Sequence, residues 1–279
     1  MKQYKLIILF LFTILFVSCS SDDGKISFTI LQLNDVYEIA SIQGGQYGGM
    51  ARVETVHQEL LAKNKNTLLV MAGDFLNPSL IGTMKHEGVR VRGKQMIEVM
   101  NAMSFDVVAF GNHEFDIPKK DLQKRMDESN FPWISSNVFD KTADSIKQFY
   151  QELSGVKRSI KGSFIKEIFD EDGTKIRVGF ISVCIPSNPK SYVLYKDMYT
   201  SIHKEYESIK NKVDIVIGLT HVKIEHDREI AKLLPNIPLI MGGHEHTNKN
   251  EMIGNVLITK ADANAVSYTH LTLPTNREV

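Results

Sequence analysis

Five short apolar runs, each ending in a polar residue able to hold a metal ion, constrain this chain more than any other feature. The runs are Phe28–Leu33, Thr67–Met71, Val107–Phe110, Ile215–Leu219 and Leu239–Met241, rich in Val, Ile and Leu as buried strands are. Between them apolar residues recur at helical spacing. Val53, Val56, Leu60 and Leu61 share one face of a helix predicted over Ala51–Lys63. Further helices are predicted over Gly93–Met103, Lys119–Glu128, Lys196–Lys212 and Glu225–Leu234, and a hairpin joins Phe164–Phe169 to Lys175–Val183 through Gly173. This alternation predicts an α/β fold.

The strand ends carry the chemistry. The first runs into Asn34-Asp35-Val36-Tyr37-Glu38, the second into Ala72-Gly73-Asp74, and the third into Gly111-Asn112-His113-Glu114-Phe115-Asp116. The fourth ends Thr220-His221 and the fifth Gly242-Gly243-His244-Glu245-His246. In parallel-rich sheets such ends converge on one rim, where ligands bind. Each motif alone has a plain reading. Gly-Asp makes turns, Asn-His caps helices, and His244 and His246, two apart, point to one side if the backbone is extended. Five strand ends carrying Asp, Asn or His together are not explained that way. Their oxygen and nitrogen donors, without thiolate, suit Mn, Zn, Mg, Co or Fe and do not select among them. Asp35, Asp74, Asn112, His221, His244 and His246 are too many for one tetrahedral site with an open position; they suit two divalent ions bridged by a carboxylate.

Composition sets bounds. Among 279 residues, 33 Lys and Arg balance 33 Asp and Glu, so bulk basicity gives no support to a nucleic-acid polymer as partner. Two cysteines make neither a disulfide framework nor a Cys-based zinc site. Cys184 and Trp133 are expected in the core, and the Lys-rich stretches on solvated helix faces.

Both ends are expected to differ from the body. Lys2 and Lys5, the apolar run Leu6 to Val17 and the small residues Ser18-Cys19 have the layout of a signal peptide over residues 1–18. The string resembles a bacterial lipoprotein signal, with Cys19 lipidated, residues 19–25 as tether, and Ser20 pointing to an outer membrane; plain secretion is the alternative. The expected location is the cell envelope, outside the cytoplasm. Residues 266–279 resemble a translated transposon end from sequencing libraries. They are expected to be non-native, the alternative being a final strand with alternating polarity. Without the leader and that tail the formal charge is −2, so attraction for phosphate must come from bound ions.

Asp35, Gly73-Asp74, Gly111-Asn112-His113-Glu114, His221 and Gly243-His244-Glu245-His246 resemble the five motifs of the calcineurin-like metallophosphoesterases. Leu33-Asn34-Asp35, Gly48-Gly49-Met50-Ala51-Arg52 and Asn112 to Asp116 resemble more narrowly the bacterial 5′-nucleotidase / 2′,3′-cyclic phosphodiesterase group. The resemblance covers residues 26–265 and implies a four-layer α/β/β/α sandwich with a dimetal site at the C-terminal ends of the strands. It implies that Asp74 bridges the ions, that Asp35 and His246 hold the first, and that Asn112, His221 and His244 hold the second. Water held between the ions would ionise near neutral pH and attack phosphorus. His113 would face the phosphoryl group, steadied by Asp116. The implied activity is hydrolysis of nucleotide phosphoesters. The alternatives are a dimetal hydrolase for a cyclic nucleotide, nucleotide sugar or sulfur ester, and a non-catalytic metal-binding lipoprotein; His113 and Asp116 speak against the last.

The sequence departs from the group's pattern in two places. Tyr37 stands where a metal-binding His is usual. Either it ligates, as a phenolate on trivalent iron, or it lies beside a first site that recruits Glu38 or water. The group's C-terminal substrate domain is not in this sequence, so the catalytic domain is expected to be incomplete and the base-binding pocket unread.

Overall fold

The computed structural model describes residues 25–276; the leader, Cys19 and most of the expected tether lie outside the described residues. One sheet is built from β1 (Lys25–Leu33), β2 (Thr67–Met71), β3 (Val107–Ala109) and β4 (Trp133–Ile134), all parallel. A second comprises β5 (Ser163–Phe169), β6 (Lys175–Ile181), β7 (Ile215–Thr220), β8 (Leu239–Gly242), β9 (Lys249–Ile253) and β10 (Val256–Lys260). Its order is β5-β6-β7-β8-β10-β9, with a parallel centre and an antiparallel strand at each edge. A last strand, β11 (Thr269–Asn276), runs antiparallel along β1 from Lys25↔Asn276 to Gln32↔Thr269. An open strand edge accepts almost any alternating segment, and Tyr268 to Leu273 supplies one.

Period two sorts each strand between two cores. Ile26, Phe28 and Ile30 of β1 face the second sheet, joining Leu68 and Val70 of β2, Phe180 of β6, Ile217 of β7 and Met241 of β8. Leu31, Leu33, Leu69 and Met71 face the other way, onto α1 (Met50–Lys63), α2 (Lys94–Ala102) and α3 (Lys119–Glu128). On the far side, Ile181, Val216 and Ile240 meet α4 (Met198–Ile209) and α5 (Ile224–Leu233). The result is the expected α/β/β/α sandwich. A strand buried on both faces needs no polar residue, which is why β2 reads Thr-Leu-Leu-Val-Met and is buried throughout.

The five predicted strands and five helices form within two or three residues of their expected ends, and the β5–β6 hairpin turns at Gly173, φ +96. Trp133 and Cys184 are buried, at 2% and 0% exposure. One polar residue locks the layers together. Gln32 continues the inter-sheet face of β1, and its Nε2 donates across the gap to Gly242 O at 2.9 Å and Thr259 O at 3.2 Å. Thr259 Oγ1 donates back to its Oε1 at 2.6 Å. The two C-terminal rims are thereby held in register where the motif residues stand. Among the described residues no helix is long and apolar enough to cross a membrane.

Candidate active site

Four motif residues adopt the left-handed backbone that non-glycine residues avoid: Asp35 (φ 53), Asp74 (φ 58), His244 (φ 90) and His246 (φ 60). Each costs about 1–3 kcal/mol and persists because its surroundings over-determine it. Asn34 shows how. Its side chain closes a two-way pairing with the Ala261 backbone, at 2.8 and 3.0 Å, and donates to Asp35 Oδ2 at 2.7 Å. The same conformation answers the condition on which the His244 and His246 spacing depended. His244 and His246 do not lie extended with both rings on one side; positive φ at both breaks the period of two. The His244 ring stands 5.4 Å from that of His221, whereas His246 Nε2 lies 3.2 Å from Asp35 Oδ1. Close approach demands glycine at Gly111, where a Cβ would sit 2.1 Å from Asp74 Oδ1.

Asp35, Asp74 and His221 present ligand atoms within 4.8 Å of one another, all buried. His221 Nδ1 donates to Ala72 O at 2.7 Å, which turns Nε2 inward. That Nε2 lies 3.0 Å from Asp74 Oδ2 but out of line for a hydrogen bond, and it has no hydrogen-bond partner. Asn112 Oδ1, equally buried, has none either. Buried polar atoms are ordinarily satisfied. A histidine nitrogen beside a buried carboxylate with the His244 ring near it, and a buried amide oxygen without a hydrogen bond, fit a divalent cation. Burial works against a charge on His221, but Asp74 and Asp35 outweigh it and raise its pKa to about 10. Burial, then the His221 charge, lowers His244 to about 4, which keeps its ring neutral and its lone pair available. Asp35 is held near 2 although burial opposes it, by the His221 charge and by bonds from His246, Asn34 and the His244 amide.

The other half of the site is arranged differently. Tyr37, 8% exposed, places its hydroxyl 2.9 Å from His246 Nε2, 3.2 Å from Asp35 Oδ1 and 3.4 Å from Asp74 Oδ2. Burial and the surrounding carboxylates push its pKa far above the ordinary phenol value, so the phenol is held protonated and donates. Glu38, a possible substitute ligand from sequence, is turned away: its carboxylate accepts from Leu80 N at 2.9 Å and Ser79 Oγ at 3.4 Å.

His113 and Asp116 meet across one 3-10 turn, Asp116 Oδ2 accepting from His113 Nδ1 at 2.6 Å. The ring is therefore oriented with Nε2 as its remaining nitrogen. The His113 amide donates to Asp74 Oδ1 at 2.7 Å, so the pair is fixed to the carboxylate at the centre. Lys190 Nζ lies 3.0 Å from Asp116 Oδ1. Burial opposes ionisation of Asp116, but the bonds from His113 and Lys190 prevail and lower its pKa.

Sequence reasoning missed several supporting residues. Glu114, 0% exposed, accepts four backbone N–H bonds: from Asp74 and Gly111 on Oε2 at 2.9 and 2.6 Å, and from Phe75 and Leu76 on Oε1 at 2.7 and 3.1 Å. Burial, then the Asp74 charge, raises its pKa to about 7. One carboxylate thus clamps two metal-binding loops together; its sequence signal is its place inside the Asn112–Asp116 string. Gly48, in the Gly48–Arg52 string, lies under Asn264, whose Oδ1 accepts from the Tyr37 and Glu38 amides at 2.9 and 3.2 Å.

The sequence pattern of the calcineurin-like phosphoesterases matches residues 28–248. The chain belongs to that family. The family is dimetal-dependent, and the orphaned Asn112 and His221 atoms suit that requirement. The chain is 27% identical to the trifunctional nucleotide phosphoesterase protein YfkN of Bacillus subtilis over 258 residues, covering 84% of this chain and 17% of that one. It is 29% identical to human 5′-nucleotidase over 238 residues, covering 80% and 39%. It therefore spans less than half the length of either relative. The Haemophilus influenzae NAD nucleotidase structure superposes with a TM-score of 0.70 at 21% identity, covering 91% of this chain and 54% of that one. At that identity the likeness establishes the fold.

Proposed function

We propose that this chain is the catalytic part of a phosphoesterase that hydrolyses nucleotide monoester bonds, in the manner of a 5′-nucleotidase. The observation that carries the reading is the buried cluster of Asp35, Asp74 and His221, whose ligand atoms lie within 4.8 Å of one another, with the His113 amide on Asp74 Oδ1 and the His113 ring paired with Asp116. Packing alone does not call for such an arrangement.

In this reading Asp35, Asp74 and His246 would hold one ion, and Asp74, Asn112, His221 and His244 would hold the other. The donor set suits Mn, Zn, Mg, Co or Fe. Bound ions supply an acidified water and draw charge from the phosphoryl oxygens. The residues do the rest. Asp116 accepts from His113 Nδ1 and fixes the ring's orientation, leaving Nε2 to meet a phosphoryl oxygen or, when it carries a proton, to pass it to the departing alkoxide. The nucleotide preference is supported by the names of the relatives above, a nucleotide phosphoesterase and a 5′-nucleotidase.

Export and attachment to a membrane through a lipid on Cys19 are part of the same proposal, supported by the basic, apolar and small-residue order of residues 1–19. Extracellular nucleotides would then be the substrates.

The test is phosphate release from adenosine 5′-monophosphate and a panel of other phosphoesters by the full chain, after chelation and reloading with each metal. Turnover of nucleotide monoesters that chelation abolishes and metal restores is expected. No turnover of any phosphoester with any metal would overturn the reading.

A further inference from the structure

Beneath the histidine-bearing rim lies a charged cluster that the phosphoesterase reading does not use. Lys260, at the C-terminal end of β10, is 0% exposed. An ammonium so buried is costly unless every donor finds a partner. Here it finds four. Nζ donates to Val222 O at 2.6 Å, to Gly243 O at 2.7 Å and to the Glu245 carboxylate, and it lies 2.8 Å from Asp227 Oδ2. These partners are not scattered. Val222 follows His221, Gly243 precedes His244, and Glu245 lies between His244 and His246.

The carboxylates extend the ties. Glu245 Oε1 accepts from the Ile224 amide at the start of α5. Asp227, on the first turn of that helix, accepts from Thr220 Oγ1 at 2.6 Å, next to His221. The cluster also explains a glycine: a Cβ at Gly242 would lie 2.8 Å from Asp227 Oδ2 and 2.9 Å from Lys260 Cε. The following residue, Ala261, pairs through its backbone with Asn34, which in turn holds Asp35. The end of β10 thus reaches three metal-binding loops.

We infer that Lys260 is a positioning residue for the metal centre: its ammonium ties the His221 loop to the His244–His246 loop and fixes the separation of their rings. The inference rests on the proposed reading of those histidines as ligands. A left-handed backbone at His244 and His246 does not hold itself, and the ammonium on Gly243 O and Glu245 supplies a restraint from below. The role requires both the positive charge and the side-chain length, because two backbone carbonyls and two carboxylates converge on one nitrogen.

The test is Mn²⁺ binding, read from the paramagnetic resonance of free ion, on the folded fraction of the full chain. Lys260→Met should weaken Mn²⁺ binding about ten- to a hundred-fold, while turnover at saturating Mn²⁺ falls much less. Lys260→Met/Asp227→Asn, which also relieves the uncompensated carboxylate, should show the same weakening. Glu245→Gln keeps the acceptor for the Ile224 amide but loses the charge pair; it should weaken binding in the same direction. A merely structural role would lower the melting temperature and the folded yield and leave the dissociation constant of the folded fraction unchanged. Wild-type affinity in Glu245→Gln and in whichever Lys260 variant folds would overturn the inference; if neither Lys260 variant folds, Glu245→Gln decides alone. If the wild-type chain itself binds no Mn²⁺, it is the ligand assignment that fails.

Discussion

The two halves of the centre share Asp74 and differ in everything else. On one side Asn112 Oδ1 and His221 Nε2 are buried without a hydrogen-bond partner, Nε2 meeting only the charge of Asp74 at 3.0 Å, and the neutral His244 ring stands near that of His221. On the other, Asp35, Tyr37 and His246 satisfy one another through hydrogen bonds, and His246 is half exposed. The first half presents buried ligand atoms of the kind a cation takes. The second has a phenol donating where a ligand lone pair is wanted. The halves are not divided by sheet: Asn112 follows β3 of the first sheet, while His244 and His246 share the loop after β8 of the second. The contrast predicts two ions bound unequally.

The largest expected break comes from His221→Ala, which removes the inward nitrogen of the tighter half. The chain should lose one bound ion by elemental analysis, and turnover should fall to background. Next, His113→Asn should lower kcat about 10²–10⁴-fold with metal content unchanged; a loss of metal instead would show that the ring is a ligand. Tyr37→His should raise affinity at the weaker half about tenfold, the shift being about 1.4 kcal/mol. Tyr37→Phe should leave the tighter half unaltered, both by metal titration.

The tighter half also carries a pH dependence. His221 has a raised pKa in the metal-free fold, so the stability its charge contributes is complete below about 6.5, the ordinary value, and is lost as pH climbs through about 10. Metal must displace that proton, so affinity at the tighter half should rise across the same interval, by up to about tenfold per pH unit. Thermal melts with and without metal should therefore diverge as pH rises. Glu114→Gln should act on stability and not on the ions directly. It keeps acceptor capacity on one oxygen but loses the shared carboxylate, costing about 1–3 kcal/mol by denaturant melts.

Most of the fold was legible because period and burial coincide. A run such as Thr67–Met71 is buried on both faces, so its apolar continuity announces it, and the ligand-bearing residues follow from where such strands must end. What stayed hidden depends on contacts between distant residues. Gln32 looks like one polar residue in a strand until Gly242 and Thr259 stand opposite it. Glu114 gives no sign that it will accept four amides, and Lys260 none that it will be buried, since lysines in sequence read as surface. The placement of His244 and His246 stayed open for a local reason: alternation applies only to extended backbone, and both residues turn left-handed.

A calorimetric Mn²⁺ titration of the metal-stripped full chain, run beside Tyr37→His and His221→Ala, tests the central claim most directly. Two ions of distinct affinity are predicted, the tighter abolished by His221→Ala and the weaker strengthened by Tyr37→His. Two equal sites in the wild-type chain, or a tighter site that survives His221→Ala, would contradict it.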